Sequence, residues 1–322
     1  MNDKSISSAS AEGFFPEAAR RAAGGPPPLL VALDIGGTQI KHGLVNTRGE
    51  LLCTARIDTE GRAGVEAMLE RIAGIVRDYA GHHPVGLAVS TLGIIDPHRG
   101  SILGAADAVR GYAGCPLKER LQQLCKLPVE VENDVNCVAL AEGWRGAALG
   151  MHNYIAITLG TGIGGGIVID QRLYRGRSAA AGEWGCSTIE GEIWEDVASL
   201  RGLALLAAQA MPTQRWTARQ VFDAREAGDA RAAAVLELWF GRLAVGLANL
   251  IYAFNPEGVI IGGGISARGR RFEAEIGALV AARLRPEFRP MCRILVAATG
   301  NDAGMLGAAR NWLQRQPKEL YC

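Results

Sequence analysis

The sequence predicts an α/β protein made of two related lobes that face a cleft, and three observations carry that expectation. Short apolar runs of strand length alternate with stretches of helical periodicity. A strand, a turn rich in Gly and Thr, and a returning strand occur in that order twice, about 125 residues apart. A chain of 322 residues also exceeds the usual span of one hydrophobic core.

Residues 1–28 are rich in Ser, Ala, Gly and Pro and end in Pro26-Pro27-Pro28, which reads as a disordered tail with room for a short helix at Pro16–Ala22. Order is expected to begin at Leu29–Leu33, a buried strand, followed by a Gly-Gly turn and a strand over Ile40–Val45, together a hairpin. Leu51–Ile57 reads as a third strand. Val65, Met68, Leu69, Ile72, Ile75 and Val76 fall at helical spacing within Gly64–Tyr79. Strands follow at Val85–Val89 and Val129–Val131, then an Ala-rich helix over Asp134–Leu149. The second half opens with strand Tyr154–Leu159, a Gly-rich turn at 160–166 and a returning strand at Ile167–Ile169. Helices are expected at about 195–210, 218–227 and 229–254, a buried strand at Gly258–Ile261 and a last helix at about 302–315.

Asp34-Ile35-Gly36-Gly37-Thr38 sits in the first turn. Small residues there let backbone N–H groups approach phosphate oxygens, Thr38 can add a hydroxyl, and Asp34 can orient a metal-bound water. A plain tight hairpin has the same pattern. Thr158–Gly166 is the second candidate cradle, with Thr158, Gly160, Thr161 and Gly162 at its tip. Glycine in a strand costs about 0.5–1 kcal/mol relative to alanine, so the run calls for a compensating reason such as close ligand approach. Gly262-Gly263-Gly264 follows the last buried strand and suits passage under a flat ring.

Glu132-Asn133-Asp134 stands between a strand and a helix, at the carboxyl end of the strand, where open α/β sheets bind ligands. Asp134 there suits a general base. Asn and Asp also suit helix N-caps, and one residue can cap while the other faces the cleft. Glu183, after the small-residue stretch Ser178–Gly182, and Glu195 are candidate acceptors for sugar hydroxyls, with Trp184 a candidate surface for an apolar sugar face. Two solvated glutamates fit the same pattern.

Composition narrows the class. Net charge is +1 with scattered Lys and Arg, so neither nucleic acid nor a lipid surface is an expected partner. The seven cysteines form no C-x-x-C pair, as expected of reduced thiols in the cytoplasm. The N-terminus lacks a charged start followed by an apolar core, so no secretory signal is expected. No apolar run is read as approaching the roughly 20 residues of a membrane span.

At these residues the chain resembles the ROK family, the bacterial repressor/ORF/sugar-kinase group, from about residue 29 to its end. The motifs are D-I-G-G-T at 34–38, E-N-D-x-N-C at 132–137, L-G-T-G-I-G-G-G at 159–166, A-G-E-x-G at 181–185, E-x-x-x-S at 195–199, I-G-G-G at 261–264 and N-D-A-G-x-x-G-A-A at 301–309. The resemblance implies a two-domain actin-like ATPase fold, ribonuclease H-like in each half. It places an N-terminal domain at 29–145, rejoined by a C-terminal helix at 302–322, and a C-terminal domain at 146–301. It also implies ATP-dependent phosphorylation of a hexose or hexose derivative, with ATP and Mg²⁺ bound. Asp134 then matches the catalytic base; Ser90, Thr91, Asn133, Glu183 and Glu195 match sugar ligands. Asp34, Gly36, Gly37, Thr38, Thr158, Gly160, Thr161 and Gly162 match phosphate loops, and Gly262, Gly263 and Gly264 the adenosine site. A homodimer is the implied assembly.

The chain departs from the family pattern at several places. Cys186 stands where many relatives carry His. The stretch from Cys186 to Glu195 is too short for the family's cysteine knuckle, and a zinc site needs about four ligands, so no structural zinc is expected. Gln39 replaces a common Lys, with Lys41 two residues on. Ile95–Gly100 is similar to zinc-less members acting on β-glucosides. A DNA-binding regulator of the same group would need a domain before Asp34 that 28 residues do not supply. A catalytically silent sugar-binding protein would keep the fold without turnover. Other actin-like ATPases, such as chaperones, carry additional domains.

Overall fold

The computed structural model describes residues 25–105, 108–212 and 214–321; the expected tail, with its short helix at 16–22, lies outside the described residues before residue 25. The first half runs β1 (Leu29–Ile35), β2 (Gln39–Asn46), β3 (Leu51–Asp58), α1 (Val65–Asp78), β4 (Gly86–Thr91), the short pair β5 (Ile94–Ile95) and β6 (Ile102–Gly104), α2 (Leu117–Cys125), β7 (Val129–Asn133) and α3 (Asp134–Arg145). The second runs β8 (Tyr154–Leu159), β9 (Ile163–Ile169), β10 (Arg172–Tyr174), the short pair β11 (Thr188–Ile189) and β12 (Glu192–Ile193), α4 (Trp194–Ala198), α5 (Leu200–Ala210), α6 (Ala218–Glu226), α7 (Ala230–Phe254), β13 (Gly258–Gly263), α8 (Gly269–Ala281), β14 (Arg293–Val296) and α9 (Ala303–Arg315).

The two large sheets have one topology. The first orders its strands β3-β2-β1-β4-β7 and the second β10-β9-β8-β13-β14. In each, a hairpin of two antiparallel pairs is extended by two parallel ones. The sequence repeat is therefore a repeat of architecture, and it is the two-lobed actin-like arrangement.

Burial on both faces explains the unbroken apolar runs of the central strands. In β1, Val31, Leu33 and Ile35 face a core with Met68, Leu69 and Ile72 of α1. Leu30 and Ala32 face the opposite core, built by Cys137 and Ala141 of α3 and by Ala303–Leu313 of α9. The last helix thus returns to the first sheet. In β8, Ile155, Ile157 and Leu159 pack with α7, while Tyr154 and Ala156 meet Ala139 and Leu140 of α3. Helix α3 is shared by the two halves, which sets its N-terminus, and Asp134, between the sheets.

Some expectations need correction. The helix placed at 195–210 is two, broken at Ser199, whose hydroxyl caps α5 by accepting from Gly202 N at 3.1 Å and whose carbonyl accepts from Trp239 Nε1 at 3.0 Å. The helix expected to reach Leu149 ends at Arg145. Helix α7 is long and apolar enough to cross a membrane, contrary to the sequence reading, and is the one such helix among the described residues. Its Val235, Leu236, Trp239, Phe240 and Leu243 are buried in the second core, with Phe222 stacked edge-on against Trp239, so its apolarity is that of a core helix.

Candidate active site

Asn133 and Asp134 divide the two roles open to them. Asn133 caps α3: its Oδ1 accepts from Val135 N and Asn136 N, and its Nδ2 donates to Gly93 O at 3.0 Å and Asp134 Oδ1 at 2.9 Å. An amide side chain has two donor hydrogens and two acceptor lone pairs, so its capacity is spent on the protein. Asn133, expected as a sugar ligand, is here bonded to Asp134 and to the start of α3.

Asp134 lines a cavity of about 320 Å³ together with Thr158, Gly160, Thr161, Gly162, Glu183, Glu195, Gly263 and Gly264. Five sequence segments, far apart in the chain, converge there. Burial, then the charge of Asp34, push the Asp134 carboxyl up to about 6. Its Oδ1 is held by Val135 N and Asn133 Nδ2. At pH 7 about nine-tenths of such a group is ionised, ready to accept a proton.

Glu195 reaches the same space from α4, and its Oε2 accepts from Ile163 N at 3.2 Å. A side chain at Gly162 would put its Cβ 2.5 Å from that oxygen, so this glycine makes room for the carboxylate. Glu183 remains exposed; partial burial and the nearby Glu195 raise its pKa. Cys186 is exposed beside them, and its thiol is raised by burial and then by Glu195 and Glu183.

Trp184 lies elsewhere than expected. It is 9% exposed, meets Phe254 edge-on, and lies over Gly165, where a Cβ would come within 2.2 Å of the indole. It packs the core rather than offering a sugar-stacking face. The neighbouring glycines have similar reasons: a Cβ at Gly164 would strike Val135 and one at Gly166 would crowd Ala139. The glycine run therefore divides. Gly164–Gly166 let β9 lie close to α3 and Trp184, while a Cβ at Gly160 would meet nothing within 4 Å, leaving the loop tip open.

The first-lobe loop carries Gly37 and Thr38 exposed and Gly36 part-buried. Asp34 is fixed from two sides: Ser90 Oγ donates to its Oδ1 at 2.8 Å, and a Cβ at Gly304 would fall 2.4 Å from its carboxyl carbon, so the carboxylate sits against the first turn of α9. The positive end of a helix favours a carboxylate there. Lys41 Nζ stands 3.7 Å from Asp34 Oδ2. Ser90 and Thr91, expected as sugar ligands, are both fully buried, and the Thr91 hydroxyl is bonded to Tyr112 Oη at 2.6 Å. In the structure Ser90 holds Asp34, and Thr91 lies in the core.

A second cavity, of about 820 Å³, shares Gly160, Thr161 and Gly264 with the first and extends between Arg201, Trp216, Phe222 and Arg268. Gly263, at φ 84°, would set a Cβ 2.3 Å from Leu159 O, so the chain turns there only with glycine. Gly262 is buried inside β13 opposite Thr158 and, unlike Gly263 and Gly264, does not line either cavity. Among the described residues no group of three or more His, Cys, Asp or Glu could hold a metal ion.

The ROK family model matches residues 30–315. A beta-glucoside kinase of Klebsiella pneumoniae is 35% identical over 308 residues, covering 90% of this chain and 98% of that protein. A glucokinase of Halalkalibacterium halodurans is 34% identical over 316 residues, covering 89% and 94%. The crystal structure of a ROK family glucokinase from Streptomyces griseus, in complex with glucose and AMPPNP, superposes with a TM-score of 0.75 at 31% identity, covering 87% of this chain and 98% of that one.

Proposed function

This chain belongs to the ROK family, and we propose from that premise that it is an ATP:sugar phosphotransferase, moving the γ-phosphoryl group of ATP to a hydroxyl of a hexose or hexose derivative. The observation that carries the reading is the single cavity joining Asp134, Glu183 and Glu195 to the open glycine tip at Gly160–Gly162.

Asp134 is the proposed base. With Oδ1 held by two protein donors, Oδ2 takes the proton of the attacking sugar hydroxyl. Glu183 and Glu195 accept hydrogen bonds from other hydroxyls and orient the ring. Gly36 N and Gly160 N are spent on Gln39 O and Gly162 O, so the backbone N–H groups of Gly37, Thr38, Thr161 and Gly162 receive the phosphates, and the 820 Å³ cavity beside Gly264 receives the nucleoside. Asp34 directly precedes the first phosphate loop, held by Ser90 and near Lys41. That donor set fits Mg²⁺ arriving on nucleotide phosphates with its own waters rather than a protein cage. When bound, Mg²⁺ neutralises charge on the phosphate oxygens. Lobe boundaries near 145/146 and 301/302, closure of the lobes over substrate, a homodimer and a cytoplasmic location complete the proposal; the six free cysteines among the described residues suit a reducing compartment.

A β-glucoside is the second reading of the substrate. Cys186, smaller than imidazole and a weak donor, stands exposed beside both glutamates. ADP release measured with glucose, N-acetylmannosamine, N-acetylglucosamine, fructose and cellobiose tests the proposal. Turnover of at least one is expected. Sugar-stabilised melting with no ADP release from any would identify a silent sugar-binding protein instead.

A further inference from the structure

Resting on the kinase reading, we propose that Arg175 is a positioning residue that ties the loop of the catalytic base to the loop of the sugar-binding carboxylate across the two lobes. Glu132 is the penultimate residue of β7, two residues before Asp134, with its side chain 3% exposed. Its Oε1 accepts from Asn133 N at 3.0 Å and Asn136 Nδ2 at 2.9 Å, so this carboxylate grips both flanks of Asp134. Its Oε2 accepts from Arg175 Nε at 2.8 Å, with Arg175 Nη2 at 2.6 Å. Arg175 belongs to the other half, directly after β10. Its Nη2 also donates to Asn311 Oδ1 of α9 at 3.1 Å.

The backbone of the same residue closes the second loop. Arg175 O accepts from Ala181 N at 3.2 Å, pinching off the segment that leads through Gly182 into Glu183. One residue thus holds Asp134's support with its guanidinium and Glu183's approach with its carbonyl. The planar fork of arginine supplies two directed donors to one carboxylate, which a lysine ammonium on a flexible stem does not reproduce. The consequence is geometric coupling: with the fork gone, Glu183 and Asp134 keep their chemistry but lose their relative placement.

Removing Arg175 alone would strand a buried charge on Glu132 and threaten folding, so the test removes both charges together. The variants are R175M/E132Q and R175K, each in the full chain. For R175M/E132Q the expected result is wild-type-like melting, a sugar KM raised about tenfold or more, kcat lowered about tenfold or more, and an ATP KM within about twofold. R175K should fall between it and the wild type. A merely structural role would lower kcat through the folded fraction and leave both KM values alone. That pattern, or sugar KM and kcat within about twofold of wild type, would overturn the proposal. Amide hydrogen exchange over 176–186 gives an arm independent of turnover: faster exchange in R175M/E132Q supports the tie, and unchanged exchange rejects it. If the wild type turns over no sugar, the kinase reading fails while the exchange result still judges the tie.

Discussion

Asp134→Asn should make the protein more stable and nearly inactive at once. In the folded chain the carboxyl is raised from its ordinary 3.8 to about 6, by burial first and the charge of Asp34 second. Between those two pH values the folded state holds a proton that the unfolded state has released. Stability contributed by this group is therefore present below about pH 4 and lost as pH rises through about 6. A rise of that size corresponds to about 3 kcal/mol, and because the residue keeps some accessible surface we take about 1–3 kcal/mol as the cost of ionised Asp134 at pH 7. Asparagine removes the charge while its Oδ1 can still accept from Val135 N and Asn133 Nδ2. At roughly 2.1 cal/mol/K of unfolding entropy per residue, the gain is a Tm increase of about 2–4 °C. The same change deletes the proton acceptor and should lower kcat by about 10²-fold or more. Calorimetric melting at pH 7 and pH 4, beside ADP release under saturating sugar and ATP, makes the measurement. The stability gain must shrink at pH 4, where folded Asp134 holds its proton and carries no buried charge. Turnover within about tenfold of wild type would refute the base, and a lower Tm at pH 7 would refute the electrostatic argument.

The wild-type rate should show an acid limb for the same reason: kcat/KM for sugar falls as pH drops through about 6, to about one-tenth of its plateau at pH 5, and a flat profile down to pH 5 would count against Asp134. Glu195→Ala should raise sugar KM about tenfold with ATP KM unchanged, since it loses ground-state hydrogen bonds; steady-state kinetics in both substrates decides. Gly304→Ala places a methyl 2.4 Å from the Asp34 carboxyl carbon and should cut turnover about 10²-fold by displacing that carboxylate; normal kinetics would remove Asp34 from the site. Glu142→Gln should cost about 2–4 kcal/mol, read as a lower urea midpoint. The carboxylate is fully buried and accepts from Ala147 N, Ala298 N, Thr299 N and the Thr299 hydroxyl, and an amide nitrogen cannot accept from any of them.

What could be read from the chain was whatever local pattern determines. Central strands such as β1 and β8 announce themselves because both faces are buried and every residue must be apolar. Helix α1 does so because its buried residues recur at helical spacing. Helix α8 carries only Phe272, Ile276 and Val280 on its buried side, and β14 is a four-residue edge strand whose side chains are exposed or part-buried, so neither rises above its surroundings in sequence. At the site, the loops and acids were legible by type and spacing, but direction was not. Ser90 and Thr91 end β4 just where a ligand contact is expected, and which way a strand residue points depends on register. Trp184 follows Glu183 directly, yet turns inward because Gly165 leaves a hollow to receive it. Arg175 gave no signal, since its partners lie 43 and 136 positions away.

The least legible contacts have a common origin. Glu130, Glu132 and Glu142 flank Asp134 along β7 and α3, and all are buried. Each grips a different part of the molecule. Glu130 takes Lys118 of α2 and Arg315 of α9. Glu132 takes Arg175 from the second half. Glu142 takes the backbone of 298–299, where the chain leaves β14 for α9. A buried carboxylate is costly unless satisfied, so each one fixes its partners as firmly as they fix it. Asp134 stands in the middle of this series, on a strand-to-helix junction clamped by both lobes and by both chain ends of the second lobe. That is the setting in which a carboxyl can be kept partly desolvated, with a raised pKa, without the surrounding backbone relaxing to hydrate it.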